Sequence, residues 1–193
     1  MTAIVILAAG ESKRMGRPKQ NLLFKGKTLL QIAVHTAMAS SCRPVIVVLG
    51  ANSQMITPTL SYPDVNIIYN DNWQEGMASS IRAAVAGVKS DGTVDGILFM
   101  LCDQPFVSTA LIEDMLSRKQ ESGKAIVACT YNNIAGVPML FSKALFGELN
   151  LLKGQEGAKK LLQNHHTNDI LLVTFDEGGT DIDTPEDYSE LIG

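Results

Sequence analysis

The sequence predicts an α/β fold with a largely parallel central sheet, and three observations carry that prediction. Short runs rich in Val, Ile and Leu alternate with helical apolar patterns along the chain, the order expected of βα units joined by right-handed crossovers. The runs Ala3 to Leu7 and Gly96 to Leu101 contain no polar residue, which marks strands covered on both faces. Both runs end in residues suited to a ligand, Ala8-Ala9-Gly10 and Cys102-Asp103, and ligands of parallel sheets collect at strand carboxyl ends.

Taken in order, the first strand feeds a loop from Gly10 to Lys19 that carries Lys13, Arg14, Arg17 and Lys19. Thr28 through Ala39 reads as a helix with Thr28 as its cap and Leu29, Leu30, Ile32, Ala33 and Ala37 as its apolar face. Pro44 to Leu49 is the second strand. Gly50-Ala51-Asn52 turns into a short helical stretch that Pro58 and Pro63 end, and Val65 to Tyr69 is the third strand. Gly76 opens the next helix, and Gly96 to Leu101 is a central strand delivering Asp103 to the sheet's edge. Ser108 caps a helix running to about Ser122; Lys124 to Cys129 and Val137 to Phe141 are strands, Gln155 to Asn164 is helical, and Ile170 to Phe175 is a late strand. Thr184 caps a final helix with Pro185 at its first position. Repeats and low-complexity segments are absent.

Composition narrows the partners. A chain of 193 residues with 46% apolar content has enough for one core and too little for two independent domains, so residues 1–193 are expected to form a single domain. A net charge of −4 with both signs interspersed argues against a general nucleic-acid or anionic-membrane binder. No apolar stretch approaches the roughly 18 residues of a membrane span, and Met1-Thr2 leads straight into the first strand, so a cytoplasmic location is expected. Cys42, Cys102 and Cys129 are odd in number and widely spaced; they fit neither a disulfide framework nor a zinc site and read as buried reduced thiols.

The basic loop is built for a polyphosphate. Exposed backbone N–H groups among Lys13, Arg14, Arg17 and Lys19 suit charge spread over many acceptor oxygens. A Walker A loop is excluded by spacing, because Gly10 and Gly16 enclose five residues and Arg17 follows; the dinucleotide fingerprint fails because Glu11-Ser12 follow Gly10. Asp103 would be semi-enclosed just past its strand, where a hard magnesium ion bridging phosphate oxygens is the natural partner, a turn-forming Asp before Gln104-Pro105 being the plainer alternative. Asp181-Ile182-Asp183 offers two further carboxylates on one face of an extended segment, part of which serves the Thr184 cap. Ser79 and Ser80 stand in the first turn of a helix, a place that binds anions. Nearby Trp73 reads either as a buried plug or as part of a nucleotide pocket. Lys153, Lys159 and Lys160 could meet an acceptor phosphate, although a solvated helix face explains scattered lysines equally. His35, His165 and His166 need no catalytic role.

The loop Leu7-Ala8-Ala9-Gly10-x-Ser12-x-Arg14-Met15-Gly16-x-Pro18-Lys19 closely resembles the signature of the molybdopterin nucleotidylyltransferases within the nucleoside triphosphate transferases. The resemblance continues through Gly76-Met77-Ala78-Ser79-Ser80, the Gly136-Val137-Pro138 and Leu152 to Lys159 segments, and Asp183-Thr184-Pro185-Glu186. It implies a Rossmann-like three-layer nucleotidyltransferase fold, with roughly residues 1–105 for the nucleotide and 106–193 for the acceptor. It also implies that Leu7, Ala8, Ala9, Gly10, Ser12, Arg14, Lys19, Ser79, Ser80 and Asp103 bind nucleotide, that Arg14, Lys19 and Asp103 are catalytic, and that Asp183 joins Asp103 in a magnesium site. The motif often has His where this chain has Val137. Cytidylyltransferase members tend to read Leu-Ala-Ala-Gly and guanylyltransferase members Leu-Ala-Gly-Gly; the Ala9 methyl would narrow the base pocket against a purine. The implied reaction transfers CMP from CTP to molybdenum-bearing molybdopterin, with pyrophosphate released and a molybdenum hydroxylase as receiver of the product. Alternatives are another nucleotide or a sugar or polyol phosphate acceptor, a non-catalytic nucleotide-binding cofactor chaperone, and, weakest for want of its glycine fingerprint, an NAD-dependent oxidoreductase.

Overall fold

Every side chain from Ala3 to Ala8 is buried, and the alternation of a strand sends Ala3, Val5 and Leu7 into one core and Ile4, Ile6 and Ala8 into another. That is why the first strand carries no polar residue. The computed structural model describes residues 1–89 and 92–193. In chain order the elements are β1 (Thr2–Ala8), β2 (Leu23–Phe24), β3 (Lys27–Thr28), α1 (Leu29–Ala39), β4 (Val45–Leu49), α2 (Ser53–Ile56), β5 (Val65–Tyr69), α3 (Met77–Lys89), β6 (Gly96–Leu101), α4 (Thr109–Ser122), β7 (Ile126–Tyr131), β8 (Ile134–Ser142), α5 (Phe146–Leu149), β9 (Ile170–Thr174) and α6 (Pro185–Ile192).

The main sheet runs β5-β4-β1-β6-β8-β7-β9, and only β8 opposes its neighbours. On one face α3 buries Ala78, Ile81, Ala84, Val85 and Val88; on the other α1 and α4 bury Leu30, Ala33, Val34, Ala37, Ile112 and Met115. Each fully buried aliphatic side chain is worth about 1.5–3 kcal/mol, so the two apolar layers hold the three-layer arrangement. Thr28 caps α1 with a full capping box through Gln31. Val34 takes the core position expected of Ile32, which is half-buried. No helix among the described residues is long and apolar enough to cross a membrane.

Three expectations are corrected. The strand placed at Lys124 to Cys129 is shifted by two residues and the one placed at Val137 to Phe141 is longer, and they form one hairpin, β7 and β8, around Asn132 and Asn133 at φ +51° and +58°. Two consecutive left-handed residues make the turn type that matches strand twist, and asparagine tolerates it. Gln155 to Asn164 winds as a 3-10 turn over Ala158–Gln163 and not as a longer helix. The loop also pairs β2 with β3, a two-residue ribbon too short to give a periodic signal.

β4 and β5 lie to one side of β1 and β6 to the other. The loops after β1 and β6 stand side by side at the carboxyl ends of these paired strands, where ligands of parallel sheets collect. Because β8 runs opposite to β6, with Phe99 opposite Met139, the residues that precede Met139 extend toward this same end.

Candidate active site

The loop after β1 is braced from inside. Gln20 is 1% exposed, and its side-chain amide donates to the carbonyls of Ala8 (2.8 Å) and Gly10 (3.1 Å). Ser12 sits at φ +60° and its Oγ accepts from the Lys19 N–H at 3.1 Å, while the N–H groups of Met15 and Gly16 return to its carbonyl. Lys19 is thereby turned inward, whereas Lys13, Arg14 and Arg17 remain exposed.

The Lys19 ammonium lies between two carboxylates. It donates to Asp103 Oδ2 and, at 2.8 Å, to Asp183 Oδ1, and Arg14 adds a bond of 2.7 Å to Asp183 Oδ2. The exposed fractions of the side chains fall from 34% for Asp183 through 17% for Lys19 to 8% for Asp103. Burial works to lower the Lys19 pKa, but the charge and hydrogen bond of Asp103 and the bond of Asp183 overcome it and hold the ammonium charged. For Asp183 burial acts upward, and the bonds and charges of Lys19 and Arg14 outweigh it and hold the carboxyl below its usual range. Burial first and the Asp103 charge second push the Asp181 carboxyl up to about 6, though much of that residue stays open to solvent.

Asp183 is held by its neighbours in two ways. Its N–H and that of Thr184 both donate to Asp187 in the capping box of α6. Ile182, fully buried among Met15, Leu22 and Leu29, ties the same segment to the basic loop, and its N–H donates to the Asp103 carbonyl at 3.2 Å. Gln104, 4% exposed, adds a bond of 2.9 Å to the Gly178 carbonyl.

A cleft of about 390 Å³ opens between these residues and the start of α3, a size suited to a nucleotide-scale ligand. Leu7, Ala8, Ala9, Gly10, Ser12, Lys19, Ser80 and Asp103 line it; Ser79, Arg14 and Asp183 do not. The Ser79 hydroxyl is turned away and donates to the Gly76 carbonyl at 2.8 Å, while buried Asn70 donates to both Ser79 (2.8 Å) and Ser80 (3.0 Å). Gly76 has φ +121° and sits so close to the Gly154 carbonyl that a Cβ would strike it. Trp73 is half-buried, packs against the core and forms part of the cleft wall, which fits the pocket alternative rather than a fully buried plug.

The remaining candidates lie elsewhere or serve other bonds. Lys153, Lys159 and Lys160 are exposed, Lys160 bonding Gln163 at 2.9 Å. His165 meets Glu148 at 2.9 Å, and His35 meets Tyr62 and Lys27. All three cysteines are free and buried; burial first pushes Cys102, next to Asp103, up to about 12.

Among the described residues no group of three or more His, Cys, Asp and Glu side chains could hold a metal ion by itself. Asp103 and Asp183 supply two carboxylates, and Asp103 Oδ1 is buried without a hydrogen-bond partner. A buried carboxylate oxygen left unpaired is costly. Such an oxygen fits a hard cation that completes its shell with substrate phosphate oxygens and water.

The chain is similar to known proteins along most of its length. The model of the MobA-like NTP transferase domain matches residues 4–169. The chain is 31% identical to nicotine blue oxidoreductase of Paenarthrobacter nicotinovorans over 97% of this chain and 95% of that protein. It is 25% identical to the molybdenum cofactor cytidylyltransferase of Escherichia coli over 97% of this chain and 95% of that one. A Mycobacterium tuberculosis protein solved in complex with manganese superposes with a TM-score of 0.83 at 28% identity, covering 99% of this chain and 97% of that one.

Proposed function

The chain belongs to the MobA-like NTP transferase family and is a nucleotidyltransferase, and from that premise we propose that it transfers CMP from CTP to the phosphate of molybdenum-bearing molybdopterin, releasing pyrophosphate. The observation that carries this reading is the meeting of Lys19, Asp103 and Asp183 at the mouth of the glycine-bearing loop. The name of the Escherichia coli relative and the Leu7-Ala8-Ala9-Gly10 sequence support the donor and the acceptor.

In this reading residues 1–193 act as one domain, with roughly 1–105 holding the nucleotide and 106–193 the acceptor. Leu7, Ala8, Ala9, Gly10, Ser12 and Ser80 form the nucleotide's bed, and Ser79 supports it from behind. Lys19 and Arg14 carry the positive charge that meets the triphosphate and the departing pyrophosphate. A phosphate monoester acceptor is already ionised near neutral pH, its second pKa being about 6, so no base has to remove a proton before it attacks the α-phosphorus. Asp103 and Asp183 would hold magnesium, and the mycobacterial neighbour solved with manganese supports a divalent ion in this family. When bound, that ion neutralises phosphate oxygens. The product would pass to a molybdenum hydroxylase in the cytoplasm.

A second reading rests on the name of the Paenarthrobacter relative, an oxidoreductase. The two are separated by one panel: CTP, GTP and ATP with molybdopterin, sugar phosphate and polyol phosphate acceptors, read by pyrophosphate release, beside nicotinamide cofactors read by absorbance. Pyrophosphate released only with CTP and molybdopterin supports the proposal. Nicotinamide turnover without pyrophosphate release would sink it, and tight CTP binding with neither would favour a cofactor chaperone.

A further inference from the structure

Resting on the CTP reading, we propose that Trp73 is the specificity-determining residue that limits nucleobase size, its indole being the partition between the cleft and a second cavity that a purine would need. The cleft of about 390 Å³ is bounded by Trp73, and a second cavity of about 290 Å³ is lined by Gly50, Ser53, Tyr69, Asn70 and Asp71. Trp73 borders both.

The partition is fixed at its root. An added Cβ at Gly50 would stand 2.6 Å from Trp73 Cβ and 2.9 Å from Ala9 Cβ, so the tryptophan and the Ala9 methyl pack across the bare glycine backbone. The Ala51 N–H donates to the Ala9 carbonyl at 3.0 Å, which locks this contact to the end of β1. The far side of the turn is fixed too: the Gly76 N–H donates to the Trp73 carbonyl at 3.1 Å, and the Arg82 guanidinium holds Glu75 at 2.5 Å. Ala9 therefore acts on base size through the seating of Trp73, whose Cβ shares this packing, and not only through its own methyl. A flat aromatic face beside a phosphate-binding loop also offers the base a stacking surface, worth about a 5- to 150-fold change in affinity on truncation.

The chain contains a single tryptophan, so its fluorescence reports this residue alone. In the full-length wild-type protein with magnesium, CTP is expected to shift Trp73 emission and shield it from acrylamide. The dissociation constants of CTP and GTP are then measured calorimetrically for wild type, Trp73→Phe and Trp73→Ala. We expect wild type to favour CTP, Trp73→Phe to keep most of that preference, and Trp73→Ala to lose about tenfold of it, with GTP tightening as the two cavities merge. Emission indifferent to saturating CTP overturns the proposal without any variant having to fold. A Trp73→Ala protein that folds and keeps the full wild-type CTP preference also overturns it while leaving CTP as donor. Equal wild-type affinity for CTP and GTP removes the CTP reading itself and the partition with it.

Discussion

The two ends of the cleft are assembled in opposite ways. At the charged end Lys19 bonds Asp103 and Asp183, residues 84 and 164 positions away, so three remote segments must meet for one ammonium to find its partners. At the aromatic end a single segment, Asn70 to Ser80, folds on itself through the Asn70 amide and the Gly76 turn. The charged end is joined by side-chain bonds between remote segments, while the aromatic end is shaped within one segment that packs against Ala9, Gly50 and Gly154. Damage should therefore spread differently: into chemistry at the first, into local order and base choice at the second.

The sharpest way to break the contrast is Asp103→Ala, expected to cost on the order of 10²–10³-fold or more in turnover measured as pyrophosphate release. Near-wild-type turnover would remove Asp103 from the mechanism. Lys19→Met comes next, at about 10²-fold in turnover, because a phosphate then meets two carboxylates without the ammonium between them. Asp103 would also be left buried without its cation, and urea unfolding should register a loss of about 3 kcal/mol. An unchanged midpoint would mean that the bridge is relaxed by water. At the aromatic end Asn70→Ala strips Ser79 and Ser80 of their shared donor; we expect about 1–3 kcal/mol less stability by urea unfolding and a raised KM for the nucleotide with little change in kcat. A fall in kcat as large as that of Lys19→Met would erase the distinction between the two ends.

The smallest effect concerns pH. The Arg82 hydrogen bond holds the Glu75 carboxyl below its usual range. A depressed carboxylate contributes stability above its unfolded value of about 4.3 and loses that contribution as pH falls through the lower folded value. Trp73 emission in the wild type should show a step below about pH 4 that Glu75→Gln lacks. A step of equal size in both proteins would assign it to another group.

The same contrast explains what the sequence disclosed. The polar-free runs of β1 and β6 named the two central strands and put Gly10 and Asp103 at their ends, since burial on both faces leaves a mark in every residue. Thr28, Ser108 and Thr184 marked their helices through local cap chemistry that spans three residues. Gln20 gave no comparable signal, because its worth lies in two carbonyls of a loop that only the folded chain brings to it. The seating of Ile182 among Met15, Leu22 and Leu29 was equally silent: one apolar residue between two acids has no period. Asn132-Asn133 was readable in principle as a hairpin turn, but the strands beside it lack clean alternation, being buried on both faces over Ile126 to Cys129.

The reversed direction of β8 has an architectural consequence. The β7–β8 hairpin points its Asn132-Asn133 tip toward the rim of the cleft, beyond the last paired residues Tyr131 and Ile134. Residues inserted at that tip would lengthen a flap over the rim without shifting the register of any strand behind it. The scaffold thus has a graft point at a single turn, while the loops that hold Lys19 and Asp103 stay as they are.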